Sequence, residues 1–367
     1  MAAEDRPDGS ELPIEPDSSS NSELNSSIAT DFASIASTIP NYVYENGRRY
    51  HGYNTDQYFL PNDEREQERL DFVHHIFRLT LDGDLCYTKL DSPERILDIG
   101  TGTGIWAIES KSSLLRLACL STAMAELYPS AQIIGTDISP IQPTWRPPNV
   151  EFMVDDALEE WTFPESSFDL IHIRTLGGSI PDWPYLMSQC YKRLKPGARI
   201  EISEARAHFC CDDGTFPETS KAKQWLNEFN RISHECGREF DIFPNVAGWM
   251  RDAGFTEVEE TEKVVPLGTW PKDKKLKTRG RYFMAQFLCH ALESYSISLF
   301  TRFGGWSADD LLKLLNSATK ELSSNKMHIY SHFEIRTNED PGKAALKKQW
   351  DDGHDPTKYD GPLSDEK

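Results

Sequence analysis

A short apolar run that ends in three closely spaced glycines constrains this chain more than any other stretch. Residues 96–104 read Ile-Leu-Asp-Ile-Gly-Thr-Gly-Thr-Gly, which predicts a buried strand followed by a tight turn. Residues 105–109, Ile-Trp-Ala-Ile-Glu, have a helical composition, so the unit is predicted to be strand, glycine loop and helix. Glycines at such a turn let a ligand lie against the backbone, and the start of a helix offers unpaired N–H groups. The stretch is therefore a candidate ligand-binding loop.

The spacing of the glycines separates two kinds of nucleotide ligand. A dinucleotide site requires G-x-G-x-x-G, whereas Gly100, Gly102 and Gly104 form G-x-G-x-G after Asp98. The observed form suits S-adenosylmethionine, which has no phosphate but carries an amino-acid end and a sulfonium. Asp98 is expected to attract the ammonium group of that ligand. A generic glycine turn is the alternative, and the spacing disfavours an NAD-dependent oxidoreductase.

Acidic residues end the next two predicted strands. Asp137 closes the run 133–137 and is a candidate for hydrogen bonds to the two hydroxyl groups of a ribose. The strand 150–154 runs into Asp155 and Asp156, where an adenine amino group would need an acceptor. Asp156 is favoured over Asp155, although the two are hard to distinguish and a solvated loop pair is the alternative. The sequence thus predicts a nucleoside site at the carboxyl edge of a parallel sheet.

The segment between the glycine loop and Asp137 is unusually long. Asp137 lies 39 residues beyond Asp98, whereas about 20 residues usually separate the loop from the ribose-binding acid. Removing residues 110–123 would reduce that distance to 25 residues and join two helical stretches smoothly. These residues are therefore predicted to be an insertion, and retained intron sequence is one source for it. The alternative is a helix lengthened by about four turns, or about 21 Å.

Two polar residues lie on the next predicted strand, 168–174, and are weak candidates for catalysis. His172 could act as a base, although a histidine within a strand more often has a structural role. Arg174 could hold a carboxylate of the substrate or form an ion pair that braces the site. The sequence contains no cysteine, histidine and carboxylate cluster with metal-ligand spacing, so no metal is expected.

Composition excludes several other functions. The net charge is −20, and no basic stretch forms the footprint of a nucleic-acid binder, so direct binding to DNA or RNA is not expected. No apolar run of about 18 residues predicts a membrane span. Seven scattered cysteines, together with an N-terminal stretch that resembles no signal or transit peptide, favour the cytoplasm or the nucleus.

The two ends of the chain differ in composition from its centre. Residues 1–40 contain eight acidic residues, one basic residue and nine serines, which predicts a disordered acidic tail. Residues 341–367 are predicted to be a second loose acidic tail, so one ordered domain covers 41–340. Within it, a helix from Glu64 to about Leu79, capped by Asp63, either packs on the domain or closes over a ligand as a lid. A helical block over 274–322 precedes the final predicted strand.

Taken in order, these motifs resemble class I S-adenosylmethionine-dependent methyltransferases. More narrowly, the chain is similar to the LaeA-like fungal methyltransferases in its phrases 58–63 (Tyr-Phe-Leu-Pro-Asn-Asp), 104–108, 139–143 and 176–179. The resemblance implies an α/β fold with a doubly wound, Rossmann-like, seven-stranded mixed sheet. It also implies that Gly100, Gly102, Asp137 and Asp156 hold the cofactor.

The same resemblance implies a role in fungal secondary metabolism. One form of that role is a tailoring enzyme, and the other is a nuclear regulator that works with velvet-type partners. The methyl acceptor is then a small molecule or a protein. A cofactor-binding regulatory subunit that needs little or no methylation is the alternative function.

Overall fold

A mixed sheet forms the centre of the molecule in the computed structural model, which describes residues 42–52, 58–108 and 123–338. A separate hairpin precedes it, made of β1 (Tyr42–Glu45) and β2 (Arg48–His51). The strands of the main sheet are β3 (Arg95–Ile99), β4 (Gln132–Asp137), β5 (Val150–Val154), β6 (Phe168–Arg174), β7 (Leu194–Ala205), β8 (Val258–Pro266) and β9 (Tyr330–Asn338).

The order of these strands determines where a ligand can bind. Within the described residues it is β5-β4-β3-β6-β7-β9-β8, with β3 to β7 parallel and β9 antiparallel to both of its neighbours. The chain moves outward from β3 to β5 and then returns to place β6 on the other side of β3. Ligands bind at such a switch point, beyond the carboxyl ends of the strands. The doubly wound seven-stranded mixed sheet expected from the sequence is confirmed.

Helices cover both faces of the sheet. They are α1 (Glu64–Thr80), α2 (Met124–Leu127), α3 (Trp183–Arg193), α4 (Lys221–Glu235), α5 (Phe243–Ala253), α6 (Lys274–Gln286), α7 (Leu292–Ser298) and α8 (Ala308–Ser323), with π-helical turns at Phe287–Ala291 and Leu299–Phe303. Helices α3 and α5 pack on strand side chains such as Ile171 and Ile200. Helices α1, α4, α6 and α8 form a larger apolar cluster with Phe333 of β9. The block from α6 to α8 is the predicted helical insertion before the last strand.

Local capping signals explain where several helices begin and end. The Asp63 side chain accepts a hydrogen bond from the Glu66 N–H at 3.0 Å, as the sequence predicts for the start of α1. Ser307 caps α8 in the same way. Helix α5 ends at Gly254, whose φ of +109° is accessible to glycine at little cost. None of the helices in the described residues is both long and apolar enough to cross a membrane.

The helix predicted directly after the glycine loop is described only over residues 105–108, which form turns, and the rest of that prediction lies outside the described residues. The Ala107 N–H donates to the Gly104 carbonyl oxygen at 3.0 Å and closes a single turn. The next donors come from α2: the N–H of Met124 bonds the Trp106 oxygen at 3.3 Å, and that of Ala125 bonds the Ala107 oxygen at 3.1 Å. Each of these pairs is 18 residues apart, and subtracting 14 leaves the four-residue spacing of an α-helix.

The two halves of one helical turn are thus brought together from either side of the predicted insertion. Residues 110–122 of that segment lie outside the described residues, so its character as an insertion stays a prediction. Deletion of residues 110–123 should give a folded protein that is more stable by about 1–2 kcal/mol, because loop closure no longer opposes the helix. Urea unfolding followed by circular dichroism measures this difference.

A second deletion of equal length controls for loop removal alone. Deleting residues 112–125 keeps the same four-residue spacing but puts Ser110 and Lys111 at the positions of Met124 and Ala125, which are both buried. That variant should be less stable than the original chain. Equal stability of the two deletions would contradict the continuous-helix interpretation.

Candidate functional site

A cleft of about 950 Å³ lies beyond the carboxyl ends of β3, β4 and β5. The glycine loop forms its floor, and residues after β4 and β5 form its walls. The sequence-predicted residues Gly100, Gly102, Asp137 and Asp156 all line this cleft. The structure therefore brings together four residues that are up to 56 positions apart in the sequence.

Backbone geometry explains two of the glycines. Gly100 has a φ of +67°, and a Cβ there would lie 2.4 Å from a methyl carbon of Leu176. Gly104 has a φ of +76°, and its Cβ would lie 2.4 Å from the ring of Phe152 on β5. Both positions therefore favour glycine because of their positive φ angles. At Gly104 the packed ring of Phe152 also leaves no room for a side chain. The contact of Gly104 with a cofactor stays a prediction, since its neighbour in the structure is Phe152.

Asp137 is the best-defined polar group of the cleft. Its carboxylate accepts hydrogen bonds from the Gly102 N–H at 2.9 Å and the Ser139 N–H at 2.8 Å. Burial raises the pKa of Asp137 to about 6, although these two N–H groups partly oppose that effect, and the charge of Asp98 adds to it. The carboxylate is therefore fixed in position, and further hydrogen-bond donors from a ligand would stabilise its charged form.

The two acidic residues after β5 lie side by side on the wall of the cleft. Asp155 and Asp156 both line it, and the Asp156 carboxylate accepts the Leu158 N–H at 3.0 Å. Burial raises the pKa of Asp155. The Asp155 N–H bonds the Asp137 carbonyl oxygen at 3.1 Å, which ties this turn to the end of β4. The geometry places both residues within the site and, like the sequence, leaves the choice between them open.

Asp98 lies deeper than the other acidic groups and is already paired. One carboxylate oxygen accepts the Thr101 hydroxyl at 2.6 Å, and the other lies 2.7 Å from Nδ1 of His172. The His172 ring stacks on Trp106 with the ring centres 4.0 Å apart. His172 is 1% exposed and holds Asp98 through this contact, while a catalytic role for it stays a prediction.

Arg174 lies on a smaller cavity of about 370 Å³ that opens beside the glycine loop. Asp98, Gly100 and Gly102 line the same cavity. The guanidinium lies 3.1 Å from Nδ1 of His74, and burial lowers the pKa of Arg174 to about 10. Arg174 thus brings a cation, and Asp98 an anion, to the space next to the glycines, which is the pattern an amino-acid end requires.

Helix α1 covers this space from above. Leu70 lines both the cleft and the smaller cavity, and Asp71 accepts a hydrogen bond from the Thr103 hydroxyl at 2.8 Å. Gln142 closes the other side by donating to the Gly102 carbonyl oxygen at 2.7 Å. The helix therefore packs on the domain and also lines the cleft, while its closing over a ligand as a lid stays a prediction. No cluster of histidine, cysteine and carboxylate groups suited to a metal occurs in the described residues.

A second cavity of about 780 Å³ lies next to the cleft, and Thr175 lines both. Its walls are largely aromatic and include Trp225, Phe229, Phe240, Phe283, Phe287 and Tyr295. Glu204, near the end of β7, brings a carboxyl group to this wall. Burial raises the pKa of Glu204 to about 8, and hydrogen bonds from two backbone N–H groups oppose the shift.

Sequence reasoning missed Glu204 and most of this aromatic cavity. The signal that could have found Glu204 is its position at the carboxyl end of an alternating strand, Ile200 to Ala205, where ligands bind in such sheets. The aromatic residues carry no comparable signal, because they come from α4, the segment after it, α6, the π-helical turn that follows α6, and α7. Only the folded structure brings them together.

Comparisons with known proteins agree with this geometry. The family model described as "Methyltransferase domain" matches residues 64–260. The methyltransferase pytC of Aspergillus terreus is 37% identical over 310 residues, which cover 84% of this chain and 91% of that protein. The secondary metabolism regulator LAE1 of Cochliobolus heterostrophus is 34% identical over 308 residues, covering 82% and 95%. The protein-methionine methyltransferase laeA of Emericella nidulans is 32% identical over 294 residues, covering 79% and 74%. The chain therefore belongs to the methyltransferase-domain family, together with LaeA-like fungal methyltransferases and regulators of secondary metabolism.

Proposed function

We propose that this chain transfers the methyl group of S-adenosylmethionine to a small molecule bound in the aromatic cavity. The observation that carries the proposal is the pair of adjoining cavities that share Thr175. One is polar at its edges and has a glycine floor, and the other is walled by aromatic rings.

The residues of the cleft fit a nucleoside that carries a cation. Asp137 would accept the two ribose hydroxyls, and Asp156 would accept the adenine amino group. Gly100 and Gly102 line the cleft, and their positive φ angles of +67° and +57° let the backbone curve around a bound ligand. Arg174 and the Asp98 region would hold the amino-acid end. These assignments rest on the chemistry of the donors and acceptors that line the cleft.

Such a site needs few catalytic groups. When bound, S-adenosylmethionine supplies an activated methyl group, and its sulfur leaves as a neutral thioether without help from an acid. The protein residues mainly position the two reactants and exclude water. This explains why neither His172 nor Arg174 has to take part in a proton transfer. A base is needed only where the acceptor group carries a proton.

A protein acceptor, or a regulatory subunit with velvet-type partners, is the second candidate function. Two of the relatives named above are a secondary metabolism regulator and a protein-methionine methyltransferase, which supports this alternative. The cytoplasm or the nucleus is the proposed location for either function. The largely aromatic lining of the second cavity, next to the cleft, favours the small molecule.

Incubation of the full chain with methyl-labelled S-adenosylmethionine and a fungal extract tests these functions directly. The label is expected in the organic-soluble fraction. The Ala205→Phe variant, which fills the aromatic cavity, should lose most of this transfer and still bind the cofactor, as measured by calorimetry. Label in protein alone would support the protein acceptor. Tight cofactor binding without any transfer, together with co-purification of velvet-type proteins, would support the regulatory subunit.

A further inference from the structure

Glu204 is anchored at the boundary between the two cavities. Its Oε1 accepts the Leu176 N–H at 2.6 Å and the Gly177 N–H at 3.0 Å. Leu176 lines the cofactor cleft, whereas Gly177 and Glu204 line the aromatic cavity. The two backbone donors therefore fix the carboxyl group at the point where a bound acceptor would approach the cofactor.

The cationic neighbour of Glu204 in this cavity is already neutralised. Arg206 also lines the cavity, but its guanidinium donates to Asp241 at 2.9 Å and to Glu334 at 2.7 Å. Glu334 lies directly across from Glu204 in the β7–β9 pairing, and the guanidinium of Arg206 already pairs with it. The arrangement disfavours a ligand that is itself an anion.

The remaining titratable group on the wall belongs to α7. The Tyr295 hydroxyl accepts a hydrogen bond from Arg69 at 2.9 Å, and Arg69 in turn donates to Glu66 at 2.8 Å. The charge of Glu204 raises the pKa of Tyr295 further, in addition to the larger effect of burial. Tyr295 therefore remains a neutral phenol and presents its ring to the cavity.

We propose that Glu204 is the group that accepts the proton of an aromatic hydroxyl acceptor in this cavity, an inference that rests on the proposed function. The rings of Phe229, Phe240 and Tyr295 offer faces and edges to a planar molecule. In the reaction, the O–H bond of the acceptor breaks and its proton passes to the Glu204 carboxylate. The freed oxygen forms a bond to the methyl carbon as the methyl–sulfur bond breaks, with that electron pair remaining on sulfur.

The hydroxyl class is favoured over the amine and carboxylic acid classes. An amine beside a buried carboxylate would take a proton and lose the lone pair that it needs for attack. A carboxylic acid would need a cationic partner, and Arg206 on this wall is already bound by Asp241 and Glu334. A phenol loses its proton only when a base accepts it, and a carboxyl with a pKa of about 8 suits that transfer near neutral pH.

A pair of probe compounds tests this without relying on turnover. The full chain, saturated with S-adenosylhomocysteine, is titrated by calorimetry with 2-naphthol and with 2-methoxynaphthalene at about pH 6.5 and about pH 8.5. The ionised carboxylate can accept a hydrogen bond from the hydroxyl but has nothing to accept from the ether. 2-Naphthol should therefore bind roughly tenfold more tightly than 2-methoxynaphthalene at the higher pH. At the lower pH the two compounds should bind about equally.

The Glu204→Gln variant is the matched control. Its amide oxygen can still accept the Leu176 and Gly177 N–H groups, while its amide nitrogen cannot accept a hydroxyl proton. The variant should bind the two probe compounds equally at either pH. Its rate of methyl transfer to 2-naphthol should no longer rise toward pH 8. Equal binding of the two probes to the original chain at the higher pH, or binding of neither, would overturn the inference. Failure to bind S-adenosylhomocysteine or S-adenosylmethionine would instead overturn the proposed function.

A measurement without ligand checks that Glu204 titrates as described. Its folded-state pKa lies above the ordinary value of 4.5, so its stabilising contribution is complete at low pH and is lost as the pH rises through about 8. The midpoint of thermal unfolding of the original chain should fall over this range relative to that of Glu204→Gln. Parallel curves for the two proteins would contradict the assignment.

Discussion

Asp137→Ala should weaken the binding of S-adenosylmethionine by at least about 100-fold. Two charge-assisted hydrogen bonds to ribose hydroxyls contribute about 1.5–3 kcal/mol each, and 1.4 kcal/mol corresponds to a factor of ten. The variant also leaves the N–H groups of Gly102 and Ser139 without their acceptor, so the glycine loop loses a support. Calorimetric titration of the full chain measures the loss.

The pH dependence of cofactor binding provides a second signature of the same residue. Because the pKa of Asp137 is about 6, cofactor affinity should fall about tenfold for each pH unit below that value, since a protonated carboxyl no longer accepts both hydroxyls. The folding stability of the protein depends on pH in the opposite direction to its cofactor affinity. The folded-state pKa exceeds the ordinary 3.8, so stability is complete below that value and falls as the pH rises through about 6.

Asp169→Ala is the matched control, because Asp169 lies at the start of β6, at the opposite edge of the sheet. Its carboxylate accepts the backbone N–H groups of Glu94 and Arg95 at 2.8 and 2.9 Å. That variant should lose stability but keep its cofactor affinity. If both variants lost affinity equally, the effect of Asp137→Ala would be one of folding and the assignment of the ribose site would fail.

The nucleoside half of the site could be predicted from the sequence because its signals are local. Asp98 and Asp137 lie at the carboxyl ends of β3 and β4, Asp156 lies just beyond β5, and parallel strands align these ends. A rule about strand ends therefore brings residues together in space without any knowledge of long-range packing. The same locality explains why the caps of α1 and α8 were predictable, since each depends on residues three positions apart.

The remaining features depend on contacts between distant segments. The pairing of His172 with Asp98 and its stacking on Trp106 join residues from β3, β6 and the turn between them, and no local pattern encodes that triad. The helix after the glycine loop is divided because its second half is supplied by Met124 and Ala125. Local helical composition was a correct signal there, but it could not show that the chain leaves the helix and returns.

Arg48→Ala should lower the free energy of unfolding by about 3–5 kcal/mol, the cost of breaking a buried ion pair. Arg48 is 2% exposed and donates to both carboxylate oxygens of Asp63, at 2.6 and 2.9 Å. It also donates to the Ser294 hydroxyl at 3.1 Å, so it joins the β1–β2 hairpin to α1 and α7. Removing it leaves a buried carboxylate without its cation at the start of the helix that covers the cofactor cleft.

Urea unfolding of Arg48→Ala and of Arg65→Ala separates this buried pair from a surface pair. Arg65 also makes two hydrogen bonds to a carboxylate, that of Glu293, but half of its side chain is exposed, so its loss should cost less than about 1 kcal/mol. Burial alone would raise the pKa of Asp63, yet the Arg48 hydrogen bond and charge hold it below the ordinary 3.8. The stability that this pair provides is therefore present above that pH and is lost as the pH falls below it. In Arg48→Ala this loss at low pH should be smaller, because the guanidinium no longer holds down the pKa of Asp63. Equal effects of the two substitutions at neutral pH would contradict the role of Arg48 in holding α1 over the cleft.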